Sequence, residues 1–337
     1  MVALSSGATR KRKLVESVKP VDKFIDEILK PKRPEVLYDA SRHLVMAGGK
    51  RLRPFFTVKA CEAVGGDASD AIPFAAALEI IHNFTLVHDD VMDNDSMRRG
   101  APTVHTKWGV SIAIAAGDLL FAKAIEAMTT YAPKGMSAKR VKACVEIATR
   151  ATIEISEGQV LDVSFPSTAN VTEDDYIAMV GGKTSALFRA CAEIGAIAGG
   201  GKTRQVKSLG KFAWDAGIAF QLMDDYLGAT ADEKILGKPV GSDIREGKKT
   251  LIIIHALRKA KQWQRERILA VLGNCNATKQ DIVEVHSLLR DIGSINYSVK
   301  KADRYIATAK KHLKYLPDSE AKSDLFALIG YFTDRKY

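Results

Sequence analysis

The chain has 337 residues, 46% of them hydrophobic and only 7% aromatic, with 50 Lys and Arg against 40 Asp and Glu. That size and apolar share allow a large core, and the scarcity of aromatics suits helix-on-helix packing better than a sandwich of sheets. A net charge of +10 fits an anionic small molecule, surface or nucleic acid, yet the basic residues interleave with acids rather than aromatics, which argues against a nucleic-acid groove.

At the N-terminus, Arg10, Lys11, Arg12 and Lys13 supply part of the excess charge. Residues 1–20 read as a flexible basic segment ahead of one domain over 21–337. The segment has no apolar h-region, so no secretory signal is expected. Helical periodicity then dominates, with apolar residues at three- and four-residue steps. In chain order the helical stretches are "VDKFIDEILK", "PEVLYDASRHLVMAGG", "DAIPFAAALEIIHNFTLVHDD", "VSIAIAAGDLLFAKAIEAMTTY", "KRVKACVEIATRATIEISEGQVLDVSF" and "TEDDYIAMVGGKTSALFRACAEIGAIAGG". "QVKSLGKFAWDAGIAFQLMDDYLG" and the stretch beginning "TLIIIHALRKA" follow, with shorter segments after them. Breaks fall at Gly- and Pro-rich points such as "GGKRLRP", "RRGAPT" and "SFPSTANVT". Strand-like alternation is nearly absent; "LIIIH" could form a strand but, with no partner strand in view, reads as buried helix.

Charge interrupts each apolar run before the roughly 20 residues of a membrane span accumulate, so no transmembrane segment is expected. Cys61, Cys144, Cys191 and Cys275 lie far apart without metal-ligand spacing. They read as core thiols of a reducing, cytoplasmic protein. One connection stands out: 228–250 is polar, rich in Gly and in both charges, and long connections of this kind inside compact domains are functional or disordered.

The chemistry concentrates at a few points. Asp89 and Asp93 are four apart, so on a helix they share one face, about 6 Å apart along the axis. Like charges at that spacing destabilise a helix, and they sit at the end of the dipole that disfavours anions. A bound divalent cation removes both objections, and hard oxygen donors with no cysteine nearby select Mg²⁺. Alone, the pattern is better explained by a solvated acidic helix end. A second pair, Asp224-Asp225, follows "AFQLM" at what reads as another helix end. Two such clusters can face each other across a bundle. Gln159 and Asp162, three apart in "EGQVLD", are a third candidate.

Positive groups come in matching pieces. Lys50, Arg51 and Arg53 lie at a glycine-rich break before a helix, an anion site or else a capped helix end with a solvated turn. Arg98 and Arg99 follow the first acids. Lys183 and Thr184 interrupt an apolar helix inside a Gly-Gly-Lys-Thr run that is costly without purpose, and this run lacks the spacing and preceding strand of a phosphate-binding P-loop. Lys238 and Lys248 punctuate the long connection. No nucleophile motif or dinucleotide fingerprint is present.

Taken together, "GGKRLRP", "LVHDDVMDNDSMRRG", "EGQVLD", "GGKTSALF", "FQLMDDYLG" and "GKPVGSDIREGKKT" resemble, in order, the motifs of the trans-isoprenyl diphosphate synthases. The wording of the last is most like that of the archaeal geranylgeranyl diphosphate synthases. The resemblance implies an all-α isoprenoid-synthase bundle, one domain with a central substrate cavity, working as a homodimer. It implies condensation of isopentenyl diphosphate with an allylic diphosphate (dimethylallyl, geranyl or farnesyl), assisted by two to three Mg²⁺ ions. Asp89 and Asp93 would ligate metal with Asp90 in support; Asp162 would share ligation, and Asp224 would hold a further ion with Asp225 nearby. Arg98, Lys183, Lys238 and Lys248 would bind the allylic diphosphate, and Lys50, Arg53, His82 and Arg99 the isopentenyl diphosphate. Thr184 and Gln221 would line the reacting centre. The one departure is Gly228, where the family's second motif usually ends in Asp.

Product length should depend on residues just before Asp89. Thr85 is small and one turn beneath it, while Phe84 lies about 140° round the helix and flanks the shaft. The resemblance ties an aromatic there to a C20 product; core packing explains Phe84 as well. A C15 or longer-chain synthase, a class I terpene cyclase and a non-catalytic synthase subunit are the alternatives.

Overall fold

The computed structural model describes residues 7–230 and 241–333, which are almost entirely helical. They divide into two compact units, each assembled from separate stretches of sequence. The first takes its described residues from Met1–Thr152, Leu187–Gly210 and Leu313–Leu328; the second takes them from Ile153–Ala186, Lys211–His312 and Ile329–Tyr337.

The first unit is built around α4 (Ala68–Met92), which packs against α1 (Gly7–Ile28), α3 (Leu52–Ala63) and α6 (Val110–Thr130). Asp67 caps α4 by accepting from the Ser69 amide at 2.8 Å. Ala75, Ala76, Ala77, Leu78, Ile80 and Ile81 are fully buried. Small and branched residues all round let neighbours close on every side, which is why this helix has no polar face. Among the described residues α4 is also the one helix long and apolar enough to cross a membrane, which the sequence reading did not expect; 67% of its most apolar window is buried in the fold. At Gly117 of α6 an added Cβ would lie 2.2 Å from the His88 Nε2, so this glycine is what lets α6 close on α4. α2 (Glu35–Met46) and the short α5 (Val104–Trp108) pack on α6 as well.

Two differences from the sequence reading fall here. Helix α1 starts at Gly7 and runs through Pro20, so most of the segment expected to be flexible is helical. A small antiparallel ribbon, β1 (Met97–Arg98) with β2 (Ala101–Pro102), follows α4, with Arg98 opposite Ala101. Its turn residues Arg99 and Gly100 have φ of 53° and 76°. Positive φ at both central positions matches the right-handed twist of the flanking strands, but it is costly for a residue with a Cβ.

In the second unit, α8 (Glu173–Val180) begins with a reciprocal cap between Thr172 and Asp175. A π-helical turn (Gly181–Ser185) follows it; the next helix in the chain, α9 (Ala186–Ala198), belongs to the first unit from Leu187 on. The lower half of α7 (Ala138–Ser164) and most of α10 (Thr203–Thr230) also belong to the second unit. After α11 (Ser242–Arg245), the run "LIIIH" is helical, as expected, within α12 (Leu251–Lys259). Helices α12, α13 (Gln262–Val271), α14 (Lys279–Asp291) and α15 (Ser294–His312) enclose Ile252, Ile253, Ile268, Val285 and Leu289. The last described helix is α16 (Glu320–Thr333). Cys61, Cys144 and Cys191 are buried free thiols, their pKa values pushed up to about 12 mainly by burial. Cys275 is exposed, so it is not the core thiol that was expected.

Candidate active site

In the first unit, α4 carries Asp89 and Asp90 into its last turn, and Asp93 is its C-cap, with its amide bonded to the Asp89 carbonyl at 2.8 Å. The i,i+4 geometry read from the sequence is therefore present at the helix end. The three acids differ in setting. Asp93 is exposed and Asp89 half-buried, whereas Asp90 is buried and pairs with the Arg98 Nε. The second Asp90 oxygen is buried with no partner among the described residues. Arg98 also reaches Asp95 at 3.3 Å. A carboxylate with one oxygen neutralised and one left over, next to two accessible carboxylates, is a hard-oxygen donor set that suits Mg²⁺.

The basic cluster is built one layer behind. Arg51, at φ 49°, bonds Asp22 at 2.8 Å, Glu79 at 2.9 Å and the Val45 carbonyl at 2.8 Å. Arg99 donates to the carbonyls of Leu44, at 2.9 Å, and Gly48, and to Asn83 Oδ1 at 3.2 Å. These bonds hold Arg99 in its unfavourable backbone region and tie the hairpin to the glycine-rich break. Gly49 sits at φ 148°, and a Cβ there would press on the Arg99 guanidinium at 3.2 Å. Lys50 is exposed in the break, and Arg53 enters the first turn of α3 with its guanidinium 5.0 Å over the Phe188 ring. The Arg53 Nε is buried with no partner among the described residues, and burial lowers the guanidinium pKa.

His82 lies among these groups. Its pKa falls well below the ordinary value, first from burial and then from the charges of Arg53, Arg99, Arg98 and Arg51. The imidazole is neutral at physiological pH, so it donates one N–H without adding to the positive charge. Four arginines about a neutral donor, one with an unpaired buried N–H, form a place for an anion. Glu79 and Asn83, which brace Arg51 and Arg99, were missed from the sequence. The signal was there: an acid inside "AAALEIIHN" has no place in an apolar helix unless a cation meets it.

Phe84 and Thr85 precede the acids on α4. Phe84 packs edge-on against His88 at 5.0 Å and tilted against Phe121 of α6 at 5.5 Å. The Thr85 hydroxyl turns back to the His82 carbonyl at 2.9 Å.

In the second unit, Lys183 projects from the π-turn and pairs with Asp162 of α7 at 2.5 Å. Thr184 donates to Gln221 Oε1 at 3.0 Å, and Gln221 Nε2 donates to Asp225 Oδ1 at 2.8 Å. The Tyr176 phenol of α8 donates to the other Asp225 oxygen at 2.5 Å. Asp225 is pushed up to about 7 by burial, against the pull of those two hydrogen bonds. Asp224 is exposed, so the two halves of the second acid pair sit in different surroundings. Nor does this pair end its helix, because α10 continues to Thr230. Tyr176 lies 49 residues from its partner, and no local pattern announces it. Lys248 bonds Glu246 at 2.7 Å and lies 3.9 Å from Asp243, and these acids, with Asp162, raise its pKa despite burial. Gln159 is buried. Lys238, together with Arg335 and Lys336 of the C-terminal tail, lies outside the described residues. No group of three or more His, Cys, Asp or Glu converges on one point among the described residues. Mg²⁺ does not need one, since it commonly takes one or two carboxylates and fills its shell with water and substrate phosphate.

The comparisons with known proteins agree with this arrangement. The family model described as polyprenyl synthetase matches residues 34–289. The geranylgeranyl diphosphate synthase of Methanosarcina mazei is 43% identical over 317 residues, 94% of this chain and 95% of that one. The geranylfarnesyl diphosphate synthase of Aeropyrum pernix is 41% identical, over 90% of this chain and 95% of its own. The crystal structure of geranylgeranyl pyrophosphate synthetase from Pyrococcus horikoshii superposes with a TM-score of 0.93 at 44% identity, covering 98% of this chain and all of the other. The family ionises prenyl diphosphates with the help of a divalent metal. A helical fold shared nearly end to end, with both acid motifs and the basic break in order, has one explanation: the chain belongs to the polyprenyl synthetase family and is a trans-prenyltransferase.

Proposed function

We propose that the protein condenses isopentenyl diphosphate with allylic diphosphates, up to farnesyl diphosphate, to make C20 geranylgeranyl diphosphate. The observation that carries this reading is the cluster of Arg51, Arg53, Arg98 and Arg99 about a neutral His82, directly behind the acid end of α4. In the first unit, Lys50, Arg53, His82 and Arg99 bind the isopentenyl diphosphate. The unpaired Nε of Arg53 and the exposed Lys50 make direct contact, while Arg99 also fixes the break. Asp89 and Asp93 ligate Mg²⁺. Asp90 holds Arg98 in place for the allylic diphosphate.

In the second unit, Asp224 ligates a further Mg²⁺ and Asp162 contributes to ligation. Lys183, Lys238 and Lys248 bind allylic diphosphate oxygens. Thr184 and Gln221 line the reacting centre, their dipoles fixed by Asp225 and Tyr176. Two to three Mg²⁺ ions, when bound, supply the positive charge that makes the allylic diphosphate a competent leaving group. The chain's own cations share that load, and its apolar helices exclude the water that would quench an allylic cation. None of these side chains is placed as a general base, so the proton lost after addition goes to the departed diphosphate.

Support for the C20 product comes from the relatives that are geranylgeranyl diphosphate synthases, which stand beside a geranylfarnesyl synthase of similar identity, and from Phe84, whose ring is braced by His88 and Phe121. Phe84→Ala removes that wall, and chromatography of labelled products should show chains longer than C20 from the variant and C20 from the parent. Unchanged product lengths would sink the stopper role. Val110 and Ile114 of α6 are about half exposed, one turn apart on one face, and support a homodimer; a monomer mass in sedimentation equilibrium would exclude it. Free thiols at all four cysteines suit the cytoplasm.

A further inference from the structure

We propose that Tyr176 is a positioning residue: acting through Asp225 and Gln221, it holds the Thr184 hydroxyl with its proton spent on Gln221 and its lone pairs left for a developing allylic cation. This deepens the reading of Thr184 and Gln221 as lining the reacting centre, and rests on it. The four side chains form one chain of hydrogen bonds. Tyr176 donates to one Asp225 oxygen at 2.5 Å, Gln221 Nε2 donates to the other at 2.8 Å, and Thr184 donates to Gln221 Oε1 at 3.0 Å. Every proton in the chain therefore points toward Asp225.

That direction follows from what each group can give. Burial, and after it the nearby carboxylates of Asp225, Asp162 and Asp224, push the Tyr176 phenol well above its ordinary pKa, so it keeps its proton. With the phenol donating to one oxygen, Asp225 offers the other as an acceptor, and Gln221 has to present its NH₂ group there. A flipped amide would set two acceptors against each other and turn its NH₂ group to Thr184. In that inverted chain Thr184 accepts, and its own proton becomes the outward end, a positive dipole where positive charge develops. The observed order puts the negative end outward instead.

Packing keeps the four in register. Trp214, Gly217, Gln221 and Asp225 follow one another at three- and four-residue steps on α10, so they form one stripe. A Cβ at Gly181 would lie 2.8 Å from the Trp214 ring, and one at Gly217 would lie 2.7 Å from the Ser185 Oγ. The π-turn thus lies directly on the stripe. Tyr176 stands on α8, whose start is locked by the cap between Thr172 and Asp175, and it is 1% exposed. A buried phenol needs a partner for its hydroxyl. That need alone does not require the partner to be the same carboxylate that orients Gln221.

The test is a single-turnover assay of geranyl diphosphate with isopentenyl diphosphate and Mg²⁺, read per folded molecule from the far-ultraviolet helix signal. Tyr176→Phe keeps the ring and loses the proton donor. It should slow condensation about tenfold while both substrates bind within about twofold of the parent. Thr184→Val keeps the shape and loses the hydroxyl, and should slow condensation about a hundredfold. In that background Tyr176→Phe should cost less than about twofold more, because the group it orients is gone. In a Thr184→Ser background, which keeps a hydroxyl, the loss of about tenfold should persist. Losses that multiply in the Thr184→Val background mark a merely structural tyrosine and overturn the proposal. A Tyr176→Phe change that leaves the rate intact in the parent or the Thr184→Ser background, or that weakens only substrate binding, overturns it too. Thr184→Val at the parent rate removes Thr184 from the reacting centre, and the underlying reading then fails together with the proposal.

Discussion

Asp89→Ala lowers turnover of the allylic substrate with isopentenyl diphosphate by about a thousandfold, roughly 4 kcal/mol of barrier, while leaving the fold intact. The two halves of that expectation have separate origins. Turnover should fall because, on the proposed reading, Asp89 and Asp93 are the accessible carboxylates at the end of α4 through which metal would neutralise charge on the leaving diphosphate. Stability does not fall, because Asp89 sits in the last turn of α4, where the dipole disfavours an anion and where Asp93 repels it. Removing it should leave the thermal midpoint unchanged or slightly higher. Asp90→Ala should behave in the opposite way: its carboxylate is 1% exposed and pairs with Arg98, so its loss leaves a partly buried guanidinium with only the longer Asp95 contact and the midpoint drops. Product assay and thermal denaturation of the two variants separate the roles. An Asp89→Ala enzyme within tenfold of the parent would remove Asp89 from the metal site.

Gly158→Ala is expected to be the most damaging small substitution in the second unit. On helix propensity alone it should stabilise α7 by about 1 kcal/mol. Packing reverses the sign. The added Cβ would lie 2.2 Å from the Lys183 amide nitrogen and 2.8 Å from the Gly182 carbonyl carbon, and backbone atoms cannot swing aside. Reciprocally, a Cβ at Gly182 would lie 2.6 Å from the Glu154 carbonyl oxygen. The backbones of α7 and the π-turn are in direct contact. Overpacking of this kind costs about 3 kcal/mol, which outweighs the propensity gain and leaves a net loss of about 2 kcal/mol. It also moves Lys183 away from Asp162, so turnover should fall by about a hundredfold. Urea unfolding with a parallel product assay tests both, and a variant of parent-like stability would refute the contact.

How much of this was legible in the sequence depends on the range of the physics involved. The helices were readable because their apolar spacing is local, and so was the shared face of Asp89 and Asp93. The membership of "GGKRLRP", "GGKT" and "EGQVLD" in one set came from resemblance, not from periodicity. What local pattern could not supply was pairing. Asp90 and Arg98, Lys183 and Asp162, and above all Tyr176 and Asp225 meet only once the helices pack. The hairpin at Arg99-Gly100 was missed for a related reason: Asn or Asp is the usual first residue of such a turn, and an arginine is tolerated only because Leu44, Gly48 and Asn83 hold it. The helix ends at Gly7 and Thr230 were misread because tertiary support extends a helix beyond its apolar stripe.

The π-turn at Gly181–Ser185 has a consequence for how this part of the gene can vary. Its wider i→i+5 winding accommodates one residue more than an α-turn would, and a single residue corresponds to about 100° of helix rotation. Loss or gain of one codon here would spin α8 by that angle relative to the residues after the turn. The ring of Tyr176 would leave Asp225, and the chain would keep its helices while scrambling which faces meet. The nearby connection at 169–171, between the hydrogen bonds of Thr168 and the cap of Thr172, has no helical register to keep and can change length more freely. Length variation among relatives should therefore gather in that connection and stop short of the glycine pair.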